Sequence, residues 1–119
     1  ISKGLKTYMV GGLVKPLTEA VVGSDAAIFI RKFNFTKAFI GTNGIHTEYG
    51  YTTVDAEEAL IKSEAMKHSY MSFVLADYKK FGKVNAVTFA PIEKACIVTD
   101  SCVKDKYREA TLIKEVLRK

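Results

Sequence analysis

The side chains best suited to chemistry lie in a run of thirteen residues, Gly41–Thr53, that is rich in glycine, threonine and asparagine. Hydroxyl and amide groups donate and accept hydrogen bonds, and glycine lets a ligand approach the backbone closely. An apolar run precedes this segment, and an acidic helix start, Asp55–Glu58, follows it. A strand, a polar glycine loop and a helix start are the parts that α/β proteins use to hold anions. An ordinary connection between strand and helix has the same pattern, so both interpretations stay open.

Polar residues also follow two other apolar runs, at Asp77–Lys80 and Thr99–Asp100. Ligands of parallel sheets bind at the carboxyl ends of the strands. We therefore expect these two segments to meet Gly41–Thr53 at one edge of a sheet.

The elements that must position these segments alternate between strand and helix. Patterning predicts strands at Leu5–Val10, Thr36–Ile40, Met71–Asp77 and Ala95–Asp100, an edge strand or irregular crossing at Val84–Phe89, a helical turn from Pro91, and helices from Gly23 or Ser24 to Asn34, from Asp55 to His68 and from Asp105 to Leu117. This order predicts an α/β fold, a mostly parallel sheet with helices on both faces. In the second helix, Ala59, Leu60 and Met66 are the predicted buried stripe.

Composition limits the classes of protein to consider. The chain has 119 residues, 48% of them apolar, which suits one small domain with a real core. It has no apolar run of about twenty residues, so we expect no membrane span. The excess positive charge, +5 in net, is scattered as single lysines. The sequence contains no helix-turn-helix pattern, so we do not expect this segment to bind DNA directly. Cys96 and Cys102 have no other cysteine and no histidine nearby, so we expect no metal site. With only two cysteines, we expect a reducing, cytoplasmic location and no disulfide. We also expect no cofactor.

Several motifs, taken in order, resemble the DeoR family of bacterial repressors over about a hundred residues. They are Gly11-Gly12, Val22-Gly23, Lys37–Ile45, Gly50–Thr53, Glu57–Lys62, Ala76–Gly82 and Ile97–Asp100. The match is to the C-terminal effector-sensing domain, and it is closest to repressors of fructose or lactose phosphotransferase operons. The chain starts at Ile1, so we expect residues 1–119 to be this domain without its N-terminal side.

The resemblance implies the fold of ribose-5-phosphate isomerase, glucosamine-6-phosphate deaminase and the CoA transferases. It also implies a phosphorylated sugar as ligand, of the fructose 1-phosphate or tagatose 6-phosphate type. In the family, that ligand alters operator DNA binding by a separate winged-helix domain, which is absent from this chain, and sensor domains commonly form homo-oligomers. The first strand and Gly/Ser/Thr loop of the domain are also missing, so we expect weak sugar-phosphate binding, or none, by this chain alone.

The residues predicted to bind the ligand follow from these motifs. They are Gly41, Thr42, Asn43, Gly44, Tyr51, Thr52, Thr53, Glu58, Lys62, Asp77 and Lys80. Lys80 is the best candidate for the anion contact, and Asn43 for a sugar hydroxyl. Two plainer roles stay open: an exposed helix salt bridge for Glu58 with Lys62, and a solvated loop position for Lys80. Asp100 could contact the ligand or cap the last helix.

The chain departs from the family pattern at three positions. His46 stands where aspartate is common, and Tyr78-Lys79 replaces a pair of small hydroxyl residues. Lys79 could alter phosphate affinity, and Tyr78 could narrow the pocket. For a lone loop histidine, a solvated role is favoured over catalysis.

An isomerase or deaminase is the alternative function. It would use Glu58 as the base and Lys62 or Lys80 for the phosphate. However, Thr42-Asn43 stands where the isomerases carry carboxylates, and an amide does not shuttle protons at neutral pH. We therefore predict a pocket that recognises its ligand without converting it. A third possibility is an oligomerisation module, whose assembly would not respond to sugar phosphates.

Overall fold

The computed structural model describes residues 13–14, 21–22, 24–102 and 104–116. The predicted strand Leu5–Val10 lies outside these residues. In chain order the elements are β1 (Leu13–Val14), β2 (Val21–Val22), α1 (Ser24–Ile30), β3 (Phe35–Gly41), β4 (Gly44–His46), β5 (Gly50–Thr53), α2 (Ala56–Lys67), β6 (Ser69–Leu75), β7 (Val87–Ala90), β8 (Cys96–Thr99), α3 (Asp105–Ala110) and β9 (Ile113–Glu115), with 3-10 turns at Tyr78–Lys80 and Ile92–Lys94.

A four-stranded parallel sheet, in the order β3-β6-β8-β9, forms the centre of the structure. Ile40 pairs with Val74, Val74 with Ile97, and Ile97 with Ile113, so these side chains share one face. Helix α2 crosses from β3 to β6, and α3 crosses from β8 to β9. The predicted α/β class with a mostly parallel sheet is confirmed.

A second, antiparallel sheet corrects the prediction that Gly41–Thr53 is one loop. This segment contains β4 and β5, which pair with each other, and β5 also pairs with β7. The connection between β4 and β5 ends at Gly50, whose φ of 71° is a left-handed conformation that favours glycine. Hydroxyl residues suggested a loop, but threonine is β-branched and its hydroxyl can be satisfied inside a sheet. The predicted edge strand within 84–89 is β7, at one edge of this sheet.

The C-terminal segment also differs from the prediction, because the last helix ends at Ala110 and not near Leu117. Thr111 is extended, with φ of −157°, and its hydroxyl donates to the Ala95 carbonyl at 2.6 Å. The chain then adds β9 to the free edge of β8. Backbone hydrogen bonds to an open strand edge outweigh the amphipathic pattern that predicted further helix.

The first two helices start where they were predicted to start. Helix α1 buries Ala26, Ala27 and Ile30, as expected, although it ends before Asn34. In α2, Ala59 is buried and Met66 packs against the core. Leu60 was expected in the buried stripe, but its side chain is 37% exposed because it points away from the sheet.

The hydrophobic core lies on one face of the parallel sheet. It joins Val74 and Ile97 to Ala59 of α2, Phe89 of β7 and Tyr107 of α3. On the opposite face the described part of the chain places no helix. There Phe39, 62% exposed, stacks on Phe73, and Met71 and Leu75 are 44% and 46% exposed. We call this surface, made of Phe39, Met71, Phe73, Leu75 and Val98, the open sheet face. Ala38–Ile40 is therefore covered on one face, where two were expected.

Candidate functional site

Three strand ends meet at the carboxyl edge of the parallel sheet. Gly41, the last residue of β3, pairs with Leu75 at the end of β6, and Leu75 pairs with Val98 of β8. The Ala76 N–H donates to the Val98 carbonyl at 3.1 Å. A cavity of about 370 Å³ opens here beside Asp77 and Thr99. The three strand ends therefore meet at one edge, as expected, but of the predicted ligand residues only Asp77 lines this cavity.

A cavity of similar volume, about 390 Å³, opens at the other end of the sheet, between α2, β6 and β7. None of its lining residues belongs to the predicted ligand site. The carboxyl edge is therefore the better candidate, because it gathers the polar strand ends and the glycine-rich segment.

The threonines of this edge are buried and already hydrogen bonded. The Thr42 hydroxyl donates to the carbonyls of Gly44 and Thr52, at 2.9 and 3.1 Å. The Thr53 hydroxyl donates to Oδ1 of Asn43 at 2.8 Å. These contacts fix the orientation of the Asn43 amide, which is exposed. Thr42, Thr52 and Thr53 thus shape the site, and Asn43 presents a polar group at its surface.

The two glycines that flank Thr42-Asn43 differ in the space around them. A methyl group on Gly44 would lie 2.3 Å from the Lys83 carbonyl oxygen. A methyl group on Gly41 would meet nothing within 4 Å. Gly44 is therefore required for packing, while Gly41 leaves open room at the end of β3.

Lys62 brings a cation from α2 to the end of β3. Its Nζ donates to the Gly41 carbonyl at 2.7 Å and lies 5.5 Å from the centre of the Phe89 ring. Partial burial lowers the pKa of Lys62 below its usual value, and the nearby Glu58 carboxylate opposes this by raising it. The ammonium group is thus incompletely hydrated, which favours its contact with an arriving anion.

The start of α2 is occupied by its own cap. The Asp55 carboxylate accepts from the N–H groups of Glu57 and Glu58, at 2.8 and 3.3 Å. Glu58 lies in the first turn, one turn before Lys62. Because Asp55 satisfies these amides with a negative charge, the helix start is a poor place for a ligand oxyanion.

Asp77 and Lys80 lie together in the turn after β6. Asp77 Oδ1 accepts from the Lys79 N–H at 2.9 Å, and Lys80 Nζ is 4.0 Å from Asp77 Oδ2. Asp100 Oδ1 accepts from the Tyr78 N–H at 2.8 Å, which ties this turn to the end of β8. The proposed capping of the last helix by Asp100 is wrong, because the cap position of α3 is Lys104.

Tyr51 lies in the core and not at the site surface. Its side chain is fully buried, and its hydroxyl donates to the Ile92 carbonyl at 2.8 Å. Burial raises the pKa of this phenol well above its usual value. Tyr51 therefore anchors the antiparallel sheet and does not reach the site surface.

Asn85 is a polar residue of the site that the sequence did not single out. Its N–H donates to the Thr52 hydroxyl at 2.9 Å, and that hydroxyl donates to Asn85 Oδ1 at 3.2 Å. The partners are 33 residues apart, and no local pattern signals such a contact. The only sequence signal was an asparagine within Val84–Phe89, the segment predicted as an edge strand or an irregular crossing.

Other chemistry is limited in the described part of the chain. No group of three His, Cys, Asp or Glu side chains is placed to hold a metal ion, and Cys96 and Cys102 are free thiols. None of the helices in residues 24–102 and 104–116 is long and apolar enough to cross a membrane.

Comparison with known proteins matches the chain to one family. The family described as the DeoR C terminal sensor domain matches residues 1–101. An uncharacterized HTH-type transcriptional regulator FruR of Bacillus subtilis is 41% identical over 119 residues, covering 98% of this chain and 47% of that protein. The HTH-type transcriptional regulator IolR of the same organism is 32% identical, covering 90% and 43%. A lactose phosphotransferase system repressor of Staphylococcus epidermidis is 29% identical, covering 94% and 45%. The chain thus spans about half the length of these relatives.

Proposed function

The chain belongs to the DeoR C-terminal sensor domain family, and from this premise we propose that it is the effector-binding part of a bacterial transcriptional repressor of sugar uptake or catabolism. Its ligand is a phosphorylated sugar of the fructose 1-phosphate or tagatose 6-phosphate type. Operator DNA is bound by a separate winged-helix domain, and the protein acts as a cytoplasmic homo-oligomer. The relatives' names, as regulators and as a phosphotransferase system repressor, support this role.

The meeting of three polar strand ends at one sheet edge is the observation that carries the proposal. Lys62, beside the end of β3, and Lys80, in the turn after β6, offer two cations. Gly41 leaves open space where a side chain would otherwise lie. Asn43 and Asp77 offer an amide and a carboxylate, which suit sugar hydroxyls. Charge-assisted bonds from lysine to phosphate would then hold one end of the ligand, and the polar groups the other.

The same geometry favours recognition over catalysis. Asn43 is held by Thr53, and an amide at this position does not transfer protons. The isomerase alternative has one candidate base in α2, the carboxylate of Glu58. Incubation of the intact protein with ribose 5-phosphate or fructose 6-phosphate should leave both sugars unchanged, and formation of an isomerised or deaminated product would contradict this role.

The open sheet face supports the proposal that the domain continues before residue 1. A stable α/β sheet covers both faces, whereas Phe39 and Leu75 are 62% and 46% exposed here. We expect the preceding polypeptide to cover this face and to add a further phosphate-binding loop to the carboxyl edge. The present chain would then carry only part of the pocket.

Titration calorimetry with fructose 1-phosphate and tagatose 6-phosphate tests both parts of the proposal. A polypeptide that includes the preceding residues should bind one of these sugars, and the present chain should bind weakly or not at all. Micromolar binding by the present chain would show that its pocket is complete. Binding of neither sugar by the longer polypeptide would contradict this class of ligand.

A pair of neighbouring lysines provides the matched control. Lys80→Gln should weaken binding to the longer polypeptide about tenfold, which is the loss of one charge-assisted hydrogen bond. Lys79→Gln removes the same charge one residue away, where the side chain is exposed, and should weaken binding less than Lys80→Gln does. Equal effects of the two variants would indicate general electrostatics and no direct contact from Lys80.

A further inference from the structure

A second polar cavity, of about 260 Å³, lies apart from the residues of the proposed sugar-phosphate site. It opens between the end of β4, the turn after β6 and the start of α3. Its donor side chains are His46, Tyr78, Lys104 and Lys106, and its walls include Phe81 and Tyr107. Two of these residues, His46 and Tyr78, are positions at which the chain departs from the family pattern, and the fold brings them together from 32 residues apart.

His46 is oriented so that its second ring nitrogen is a donor. Its Nδ1 accepts from the N–H groups of Glu48 and Tyr49, at 3.0 and 3.3 Å. Because Nδ1 is an acceptor, the proton of the neutral ring is on Nε2. The ring also packs against Tyr49, with centroids 5.0 Å apart, which holds its orientation.

The opposite wall includes two lysines, and one of them, Lys106, lies over a rigid aromatic pair. Lys106 Nζ lies 5.3 Å from the centre of the Tyr107 ring, and Tyr107 packs edge-on against Phe81 at 4.9 Å. Tyr107 is only 2% exposed, so this base is part of the core. Asp105 lies between the two lysines in the chain, but neither it nor any other carboxylate lines the cavity.

We propose that this cavity is a second anion site, which binds the phosphate group of a small molecule independently of the Lys62 and Lys80 site. The residues that line this concave space include two lysines, a histidine and two tyrosines, but no carboxylate. A phosphate dianion needs several donors and positive charge. A small phosphate compound fits better than nucleic acid, because the lining residues surround a single cavity of about 260 Å³, which is the size of a small ligand.

Lysine footprinting on the intact protein tests this site directly. The protein is acylated at its lysines with and without inorganic phosphate, at matched ionic strength with chloride, and the modified positions are read by mass spectrometry. Phosphate should slow acylation of Lys104 and Lys106 at least about threefold and leave Lys32 and Lys37 unchanged, because those exposed lysines line no part of the cavity. Equal protection of all four lysines, or protection of none, would overturn the proposal.

Variants separate this site from the first one. The double change Lys104→Gln with Lys106→Gln should weaken the phosphate affinity measured by calorimetry about tenfold or more, whereas Lys32→Gln with Lys37→Gln removes the same charge and should change it little. Lys62→Gln should leave the protection of Lys104 and Lys106 intact; loss of protection in that variant would show one shared site. Protection by a duplex DNA oligomer but not by phosphate would also overturn the small-molecule proposal.

Discussion

At the scale of single residues, the site depends on which polar groups remain available after folding. Thr42, Thr52 and Thr53 looked like ligand donors, but their hydroxyls are buried and bonded within the protein. The groups left to meet a ligand are the Asn43 amide, the Asp77 carboxylate and the lysine ammonium groups. A hydroxyl that is already satisfied stabilises the framework, and it contributes to specificity only by positioning its neighbours.

The two glycines give the first prediction. Gly44→Ala should lower the free energy of unfolding by about 1–3 kcal/mol, because the new methyl group would overlap the Lys83 carbonyl oxygen. Gly41→Ala should change it by less than about 0.5 kcal/mol, since no atom lies near the new methyl group. Urea unfolding of both variants measures this.

In the longer polypeptide, Gly41→Ala should still weaken sugar-phosphate binding, because the methyl group takes up the open space; unchanged affinity would place the ligand elsewhere.

Lys62 gives a prediction about pH. Because burial lowers its pKa in the folded state, the unfolded chain holds the proton more tightly, and charged Lys62 reduces stability at neutral pH. This cost is fully present below the folded pKa and disappears as pH rises towards the ordinary value of 10.5. Lys62→Met should therefore gain stability relative to the unchanged protein at pH 7, and the gain should shrink by pH 10.

Urea unfolding of both proteins at the two pH values gives this difference. Lys67→Met removes an exposed lysine from the same helix and serves as the control. A gap between Lys62→Met and the unchanged protein that stays constant or widens with pH would contradict a lowered pKa for Lys62.

At the scale of elements, α2 connects the two parts of the structure. Its apolar side packs on the parallel sheet and on β7, and its first turn follows directly from the antiparallel sheet. Its limits were predictable because local signals mark both ends: Asp55 caps the start, and Lys67 complements the carbonyl end. The helix thus carries Lys62 to a fixed place beside Gly41.

The Asp55 cap gives the third prediction. Asp55→Ala should lower the free energy of unfolding by about 1 kcal/mol, because the N–H groups of Glu57 and Glu58 would lose their acceptor. Asp55→Ser keeps an oxygen acceptor and should recover most of this loss. Thermal or urea unfolding of the two variants measures the difference. If both variants lose the same stability, the charge of Asp55, and not its capping bonds, is what matters.

At the scale of the whole molecule, the described residues form an α/β layer with one packed face and one open face. Residues from α2 and α3 join the core on the packed face. Within the described ranges, no element covers the open sheet face. This arrangement explains how a chain with 48% apolar residues still exposes large hydrophobic side chains.

The open sheet face gives the fourth prediction. Phe39→Ser should cost the present chain little, because that side chain is 62% exposed. In the longer polypeptide it should cost about 3–5 kcal/mol, the usual range for removing a buried aromatic ring. Tyr70→Ser, at a position that is 87% exposed on the other side of the same sheet, should cost little in both proteins. Urea unfolding of the four variants tests this, and similar small losses throughout would mean that the face stays uncovered.

By itself, the sequence determined the parallel strands, α2 and the meeting of their polar ends, because apolar periodicity, caps and strand direction are local properties. The tertiary structure decided the antiparallel sheet and β9, whose pairing partners are distant in the chain: Thr52 with Thr88, and Ile113 with Ile97. It also determined which residues of the glycine-rich segment Gly41–Thr53 are buried and which are exposed. Tyr51 is buried in the core, three threonines are hydrogen bonded within the protein, and Asn43 lies at the surface. Only the folded arrangement determines which hydrogen-bonding groups are already satisfied.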